Sequence, residues 1–216
     1  MNFCYGEEEI AYLKSKDSIL GEAIDRIGQI KRAVIPDIFT ALINSIIGQQ
    51  ISTKAHTTVW ERFQSRLAPL TPEHIASLPV EDLQSCGMTM KKAEYIKEIA
   101  SSIADKSLDL EALKALSDPE LCKRLSQIRG IGVWTAEMLM TFSMQRMNII
   151  SQGDLAIIRG LRMLYHHRKI TPELFSKYKK RYSPYATVAS LYLWEIASGK
   201  YENFVDLAPK AKSATA

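Results

Sequence analysis

Three observations predict an all-α fold. Apolar residues recur at helical spacing along nearly the whole chain, with no convincing run of alternating strands. Helix start signals recur too: Thr71-Pro72 and Thr171-Pro172 place a cap residue before a first-turn proline, and Ser117-Asp118-Pro119-Glu120 offers a capping box or an Asp cap followed by Pro. A nearly apolar segment, Ile35 through Ile51, reads as a buried helix that stops at a tight bend near Gly48.

In chain order, helices are expected over 7–16 and 20–30, then over 37–48 in the apolar segment and 53–66 beyond its bend. Thr71 opens 72–78, and further helices are expected over 90–104 and 110–115. The Ser117 signal opens 118–126, a glycine hairpin separates it from 133–144, and a loop ending at Asp154 leads into 154–166. Thr171 opens 172–180, and 185–197 closes the series. The last residues, 209–216, have little to bury and are expected to fray.

A chain of 216 residues supports about one to one and a half domains, and 46% hydrophobic with 24% charged residues is an ordinary globular balance. No apolar run reaches membrane-spanning length, and the acidic N-terminal stretch does not read as a secretion signal, so no membrane association is expected. Cys4, Cys86 and Cys122 are too few and too far apart for a disulfide framework or a compact metal site, and a reducing compartment fits them. His56, His74, His166 and His167 lack metal-site spacing, so zinc is not expected. The net charge of +4 is unevenly spread: Leu121 to Tyr182 carries twelve Lys or Arg against three acids, leaving the remainder net acidic. Such a split suits a nucleic-acid surface, and equally a solubilising one.

The most specific local feature is Leu125-Ser126-Gln127-Ile128-Arg129-Gly130-Ile131-Gly132-Val133-Trp134. Two glycines flanking Ile131 allow a tight turn, with Ile128 and Ile131 pinning it to the core. The amides of Gly130, Gly132 and Val133 would then open a helix, where unpaired N–H groups and the helix dipole favour a phosphate. The plainer alternative is a simple turn between helices. The GxG is not a dinucleotide fingerprint, since a helix precedes it and the third glycine is absent. Asp154 is the only acid between Glu137 and Glu173 and stands at the entrance of an apolar helix. It can be an N-cap, and an ionised carboxylate there can also stabilise a developing cation or orient water. A lone carboxylate does not make the acid/base pair of common glycosidases, so glycosidic cleavage here would need a leaving group already made good by its own charge.

The stretch LSQIRGIGVWTAEMLMTFSMQRMNIISQGDLAIIRGLRML resembles the helix-hairpin-helix DNA glycosylase superfamily, and within it the 3-methyladenine DNA glycosylase type II branch. ALINSIIGQQISTKA and SPYATVASLYLWEIASG are similar as well, so the resemblance covers roughly residues 20 to 205. It implies a two-lobed helical glycosylase core with a DNA-binding cleft between lobes: 1–33 with 152–216 as a discontinuous lobe, and 34–151 as the central lobe, carrying the helix-hairpin-helix at about 118–144.

The resemblance also assigns roles. The catalytic aspartate falls on Asp154, and Trp134 stands where bifunctional relatives carry a Schiff-base lysine, which implies a monofunctional enzyme that leaves an abasic site. Trp134, Met138 and Trp194 fall on the base pocket, although Trp134 and Trp194 read without it as core residues. Gln50, Arg129, Gly130, Gly132, Val133 and Thr135 are the implied DNA contacts, with Gln50 at the position of the wedge that enters the duplex. Backbone carbonyls of Ser126, Ile128 and Ile131 match donors to a Na+ or K+ ion; otherwise no cofactor is implied, and the cysteine cluster of iron–sulfur relatives is missing. The expected partner is double-stranded DNA bearing a damaged base. The expected substrates are 3-methyladenine and 7-methylguanine, with ethenoadenine and hypoxanthine as further candidates. A monomer is expected, in the cytoplasm at the nucleoid or, in a eukaryote, in the nucleus. The alternatives are a non-enzymatic helix-hairpin-helix DNA-binding protein and a same-fold glycosylase for oxidised or mismatched bases.

Overall fold

The computed structural model describes residues 1–208, so the expected fraying of 209–216 lies outside the described residues. Among the described residues there are thirteen helices and no strand beyond an isolated bridge between Asn2 and Ala33. The helices are α1 (Glu7–Lys16), α2 (Ser18–Ile27), α3 (Ile38–Gly48), α4 (Thr53–Arg66), α5 (Pro72–Ser77), α6 (Val80–Gln84), α7 (Met90–Ala104), α8 (Leu110–Lys114), α9 (Asp118–Leu125), α10 (Val133–Phe142), α11 (Leu155–Tyr165), α12 (Pro172–Tyr182) and α13 (Ala186–Ala197). The twelve expected helices are present with shifted ends, and α6 is an addition: five residues opening at Pro79 are too short to show a period. α2 stops earlier than expected because Gly28, at φ +74, ends it.

The chain divides into two compact units, Met1 with Val34–Met144 and Asn2–Ala33 with Gln145 onward. The second boundary was expected at 151/152 and lies earlier. The segment before Asp154 is tied to α13: Thr187 N–H donates to Met147 O (3.0 Å), Ile149 N–H to Thr187 Oγ1 (2.8 Å) and Ser190 Oγ to Ile149 O (3.0 Å).

In the first unit α3 is the core element, burying Ile38, Phe39, Ala41, Leu42, Ile43, Ile46 and Ile47 against α4, α7 and α10. Each such Ile or Leu stabilises the unit by roughly 1.5–3 kcal/mol of removed apolar surface. Gly48 does not make the bend expected of it. A Cβ there would stand 3.3 Å from the His56 ring, so the glycine serves a close approach, and the left-handed residue of the turn is Gln50 at φ +56.

In the second unit α13 is buried along ten of its twelve residues and packs on α11. Gly160 makes the crossing possible: a Cβ there would lie 2.3 Å from Leu193 O. α11 is also held at its far end, where Tyr165 Oη donates to Asp17 Oδ2 (2.7 Å), which also accepts from Arg181 (2.5 Å) while Asp17 Oδ1 caps α2. Arg162 on α11 makes a two-pronged bond to Asp206 at 2.9 and 2.8 Å, and this pairing holds the Asp206 carboxyl below the usual carboxylate range. Among the described residues no helix is long and apolar enough to cross a membrane.

Candidate functional site

The candidate residues fall in both units. In the first, α9 opens with Ser117 and Glu120 in a reciprocal capping box and unwinds through Ile128 N–H to Leu125 O (3.0 Å) and Ile131 N–H to Ile128 O (2.9 Å). Ile131 is buried and anchors the hairpin, as its apolar character requires. The two glycines act differently. Gly130 lies at φ +89 with Tyr95 so close that a Cβ would meet its ring at 2.5 Å. Gly132 is an extended N-cap with nothing within 4 Å of an added Cβ. No side chain caps α10 at Gly132, and Val133 and Trp134 beyond it are 58% and 49% exposed. Without a side-chain cap, this helix N-terminus presents its first N–H groups and the positive end of its dipole.

Trp134 is therefore not a core residue, contrary to the plain reading of its apolarity. Met138, one turn along α10, shares its face and is half-buried, while Thr135 is buried, which confines its expected DNA contact to the main chain. Arg129 stacks over Tyr95, 5.2 Å from the ring centroid, and pairs with Glu98 at 3.1 Å. Ile128 O accepts one hydrogen bond, and a carbonyl has a second lone pair, so it remains a fit donor to a monovalent cation beside Ser126 O and Ile131 O.

The turn after α3 lies in the same unit. Gln50 is exposed and left-handed, Ile51 is 39% exposed, and Ser52 caps α4. Gln50 is thus past the helix end, where its carboxamide projects from a strained backbone. Its neighbour Gln49 points elsewhere, donating through Nε2 to Gly130 O at 2.8 Å. Lys92 on α7 donates to Ile47 O (2.9 Å) and Gln49 O (2.5 Å), and burial pushes its pKa below the ordinary lysine range.

In the second unit Asp154 is the N-cap of α11 and is 7% exposed. Its Oδ1 accepts from Ala156 N–H (2.8 Å) and Ile157 N–H (3.0 Å). Those amides fix the carboxyl group in a protected place at the helix N-terminus. Beside it Leu155 is 85% exposed, an uncommon state for leucine. Trp194 lies half-buried on α13. The basic segment is partly committed to the fold, because Arg129, Arg159, Arg162 and Arg181 have acidic partners, whereas Arg168, Lys169, Lys177 and Lys180 stand exposed in the second unit.

Residues 43–184 match the model of the HhH-GPD superfamily base excision DNA repair proteins. That span holds the hairpin, the Gln50 turn and Asp154, and it is well over half of the chain. The chain belongs to the HhH-GPD superfamily. It is 35% identical to DNA-3-methyladenine glycosylase 1 of Schizosaccharomyces pombe over 163 residues, which are 73% of this chain and 71% of that protein. It superposes on the crystal structure of a DNA-3-methyladenine glycosidase from Bacillus halodurans with a TM-score of 0.84 at 31% identity, covering 96% of this chain and 98% of the other. On the S. pombe 3-methyladenine DNA glycosylase in complex with abasic DNA the TM-score is 0.77 at 29% identity, covering 92% and 100%. As a member of the superfamily the chain is a DNA glycosylase of base excision repair, with DNA as its partner.

Sequence reasoning about this HhH-GPD chain missed Gln49, Lys92, Tyr95 and Glu98. A lysine, a tyrosine and a glutamate on an amphipathic helix carry no distinguishing signal. Their spacing of three, which sets all three on one face of α7, gains meaning only once that face is seen to meet the hairpin and the turn.

Proposed function

We propose that this DNA glycosylase is monofunctional and hydrolyses the N-glycosidic bond of alkylated purines, 3-methyladenine and 7-methylguanine first, leaving an abasic site. The observation that carries the reading is Asp154, a protected carboxylate fixed at a helix N-terminus by two backbone amides. Alkylation at N3 or N7 makes the purine cationic and a good leaving group, so one carboxylate suffices. Its charge stabilises the oxocarbenium-like sugar and its position directs water to the anomeric carbon. The base must leave the stack first, at a few kcal/mol, and Gln50 fills the gap it leaves. The indole faces of Trp134 and Trp194 favour a cationic base over a neutral one. Trp134 has no amine, so it cannot form a Schiff base with the sugar, and strand cleavage by β-elimination is not expected. The open N-terminus of α10 holds a backbone phosphate; a Na+ or K+ ion bound by the carbonyls of Ser126, Ile128 and Ile131 would add positive charge there.

A set of duplexes carrying 3-methyladenine, 7-methylguanine, ethenoadenine, hypoxanthine or 8-oxoguanine tests the reading. Free 3-methyladenine and 7-methylguanine, with strand breaks only after alkali, are expected. Release of 8-oxoguanine in their place, or of no base at all, would overturn it.

A further inference from the structure

Three side chains on one face of α7 tie together two loops that lie far apart in sequence. Lys92 meets the turn after α3, while Tyr95 and Glu98 meet the hairpin through Gly130 and Arg129. Gln49 closes the circuit, because its side chain bonds the hairpin carbonyl of Gly130 while its own carbonyl is held by Lys92. That carbonyl belongs to the peptide unit joining Gln49 to Gln50. Fixing it sets the orientation of the peptide from which Gln50 departs at φ +56, a region that costs a residue with a side chain roughly 1–2 kcal/mol. Lys92 also places a cation among the last carbonyls of α3, where the helix dipole favours one. Gln49 at φ −59 and ψ 131 followed by Gln50 at φ +56 has the central dihedrals of a type II turn, so the bonds that hold the Gln49–Gln50 peptide hold the turn that aims Gln50.

We propose that Gln49 and Lys92 are positioning residues that lock the Gln50 turn to the hairpin, so that capture of a phosphate and entry into the duplex act as one rigid body. This rests on Gln50 being the residue that enters the duplex. The arrangement lets binding free energy gained at the hairpin be applied at Gln50, which would otherwise swing away from a closed stack. Neither residue needs to touch the reacting atoms.

The test compares Gln49→Leu, Lys92→Met and Lys92→Arg with the parent chain, each first checked for a cooperative melt. A duplex with a stable abasic-site analogue and a neighbouring 2-aminopurine reports unstacking by fluorescence without any excision. The parent is expected to raise the fluorescence. Gln49→Leu and Lys92→Met should cut the rise at least fivefold while holding affinity for the duplex within about threefold, and Lys92→Arg should restore at least half of it. In single-turnover excision of a paired lesion, Lys92→Met should lose about tenfold, and adding Gln50→Ala should cost less than threefold more, because both changes remove the same action. A parent that leaves 2-aminopurine unchanged, folded variants that keep the full rise, or a loss from Gln50→Ala that is undiminished by Lys92→Met would overturn the proposal. A parent that unstacks the duplex but releases no alkylpurine would sink the proposed substrate class and leave this coupling standing.

Discussion

Gln50 occupies a left-handed backbone state that costs a residue with a Cβ about 1–2 kcal/mol, on a turn where glycine would be the inexpensive choice. Lys106, Gln145 and His166 also have positive φ, so the strain by itself assigns Gln50 no role; under the proposal that Gln50 enters the duplex, the strain is kept for its side chain. Gln50→Gly is therefore expected to raise stability by about 1 kcal/mol in denaturant unfolding while lowering excision of paired lesions more than of lesions in single strands. Lower stability with equal losses on both substrates would make Gln50 structural. Gly130 is the opposite case, a glycine required twice over, by φ +89 and by the Tyr95 ring. Its place in the turn was legible from the GIG pattern, but its dependence on Tyr95 was not, because the tyrosine comes from a helix 35 residues earlier in the chain.

At the scale of elements, α11 is the support of Asp154. It is seated on α13 through Gly160, latched by Asp206 and closed at its far end by the Asp17 and Tyr165 contact. Gly160→Ala would drive a Cβ into the Leu193 carbonyl, a backbone atom that cannot swing aside. The expected cost is about 2 kcal/mol, or roughly 4–8 °C in Tm, with slower excision as Asp154 shifts. An unchanged melt and rate would mean that the crossing adapts and does not hold the site. The helices themselves were legible because caps such as Thr71, Ser117 and Thr171 act within one turn of sequence. The role of Gly160 was not, because a glycine inside an apolar helix looks the same whether or not another backbone presses on it. Asp154 read as both a cap and a catalytic candidate; the structure shows the cap, and the catalytic role belongs to the proposed function.

For the whole molecule, charge and function meet in DNA binding. The basic segment, twelve Lys or Arg against three acids, is expected to engage about six phosphates, for a slope of log K against log salt near −5. Arg129, Arg159, Arg162 and Arg181 have acidic partners inside the fold, so contacts from all twelve cations are not expected. Titration of an undamaged duplex between 50 and 300 mM salt checks this, and affinity that stays flat would contradict the assignment of the binding surface. Pairing within the fold is invisible to a count of charges, so the regional excess was legible in the sequence while its division between fold and surface was not. The central claim is that Asp154 acts through its charge on a cationic sugar, and single-turnover release of 7-methylguanine by Asp154→Asn tests it most directly. Asparagine keeps the size and capping ability, so the fold should melt within a few degrees of the parent and bind an abasic duplex within a few-fold, while excision falls by about 10²-fold or more. Undiminished release by the folded variant would contradict the account.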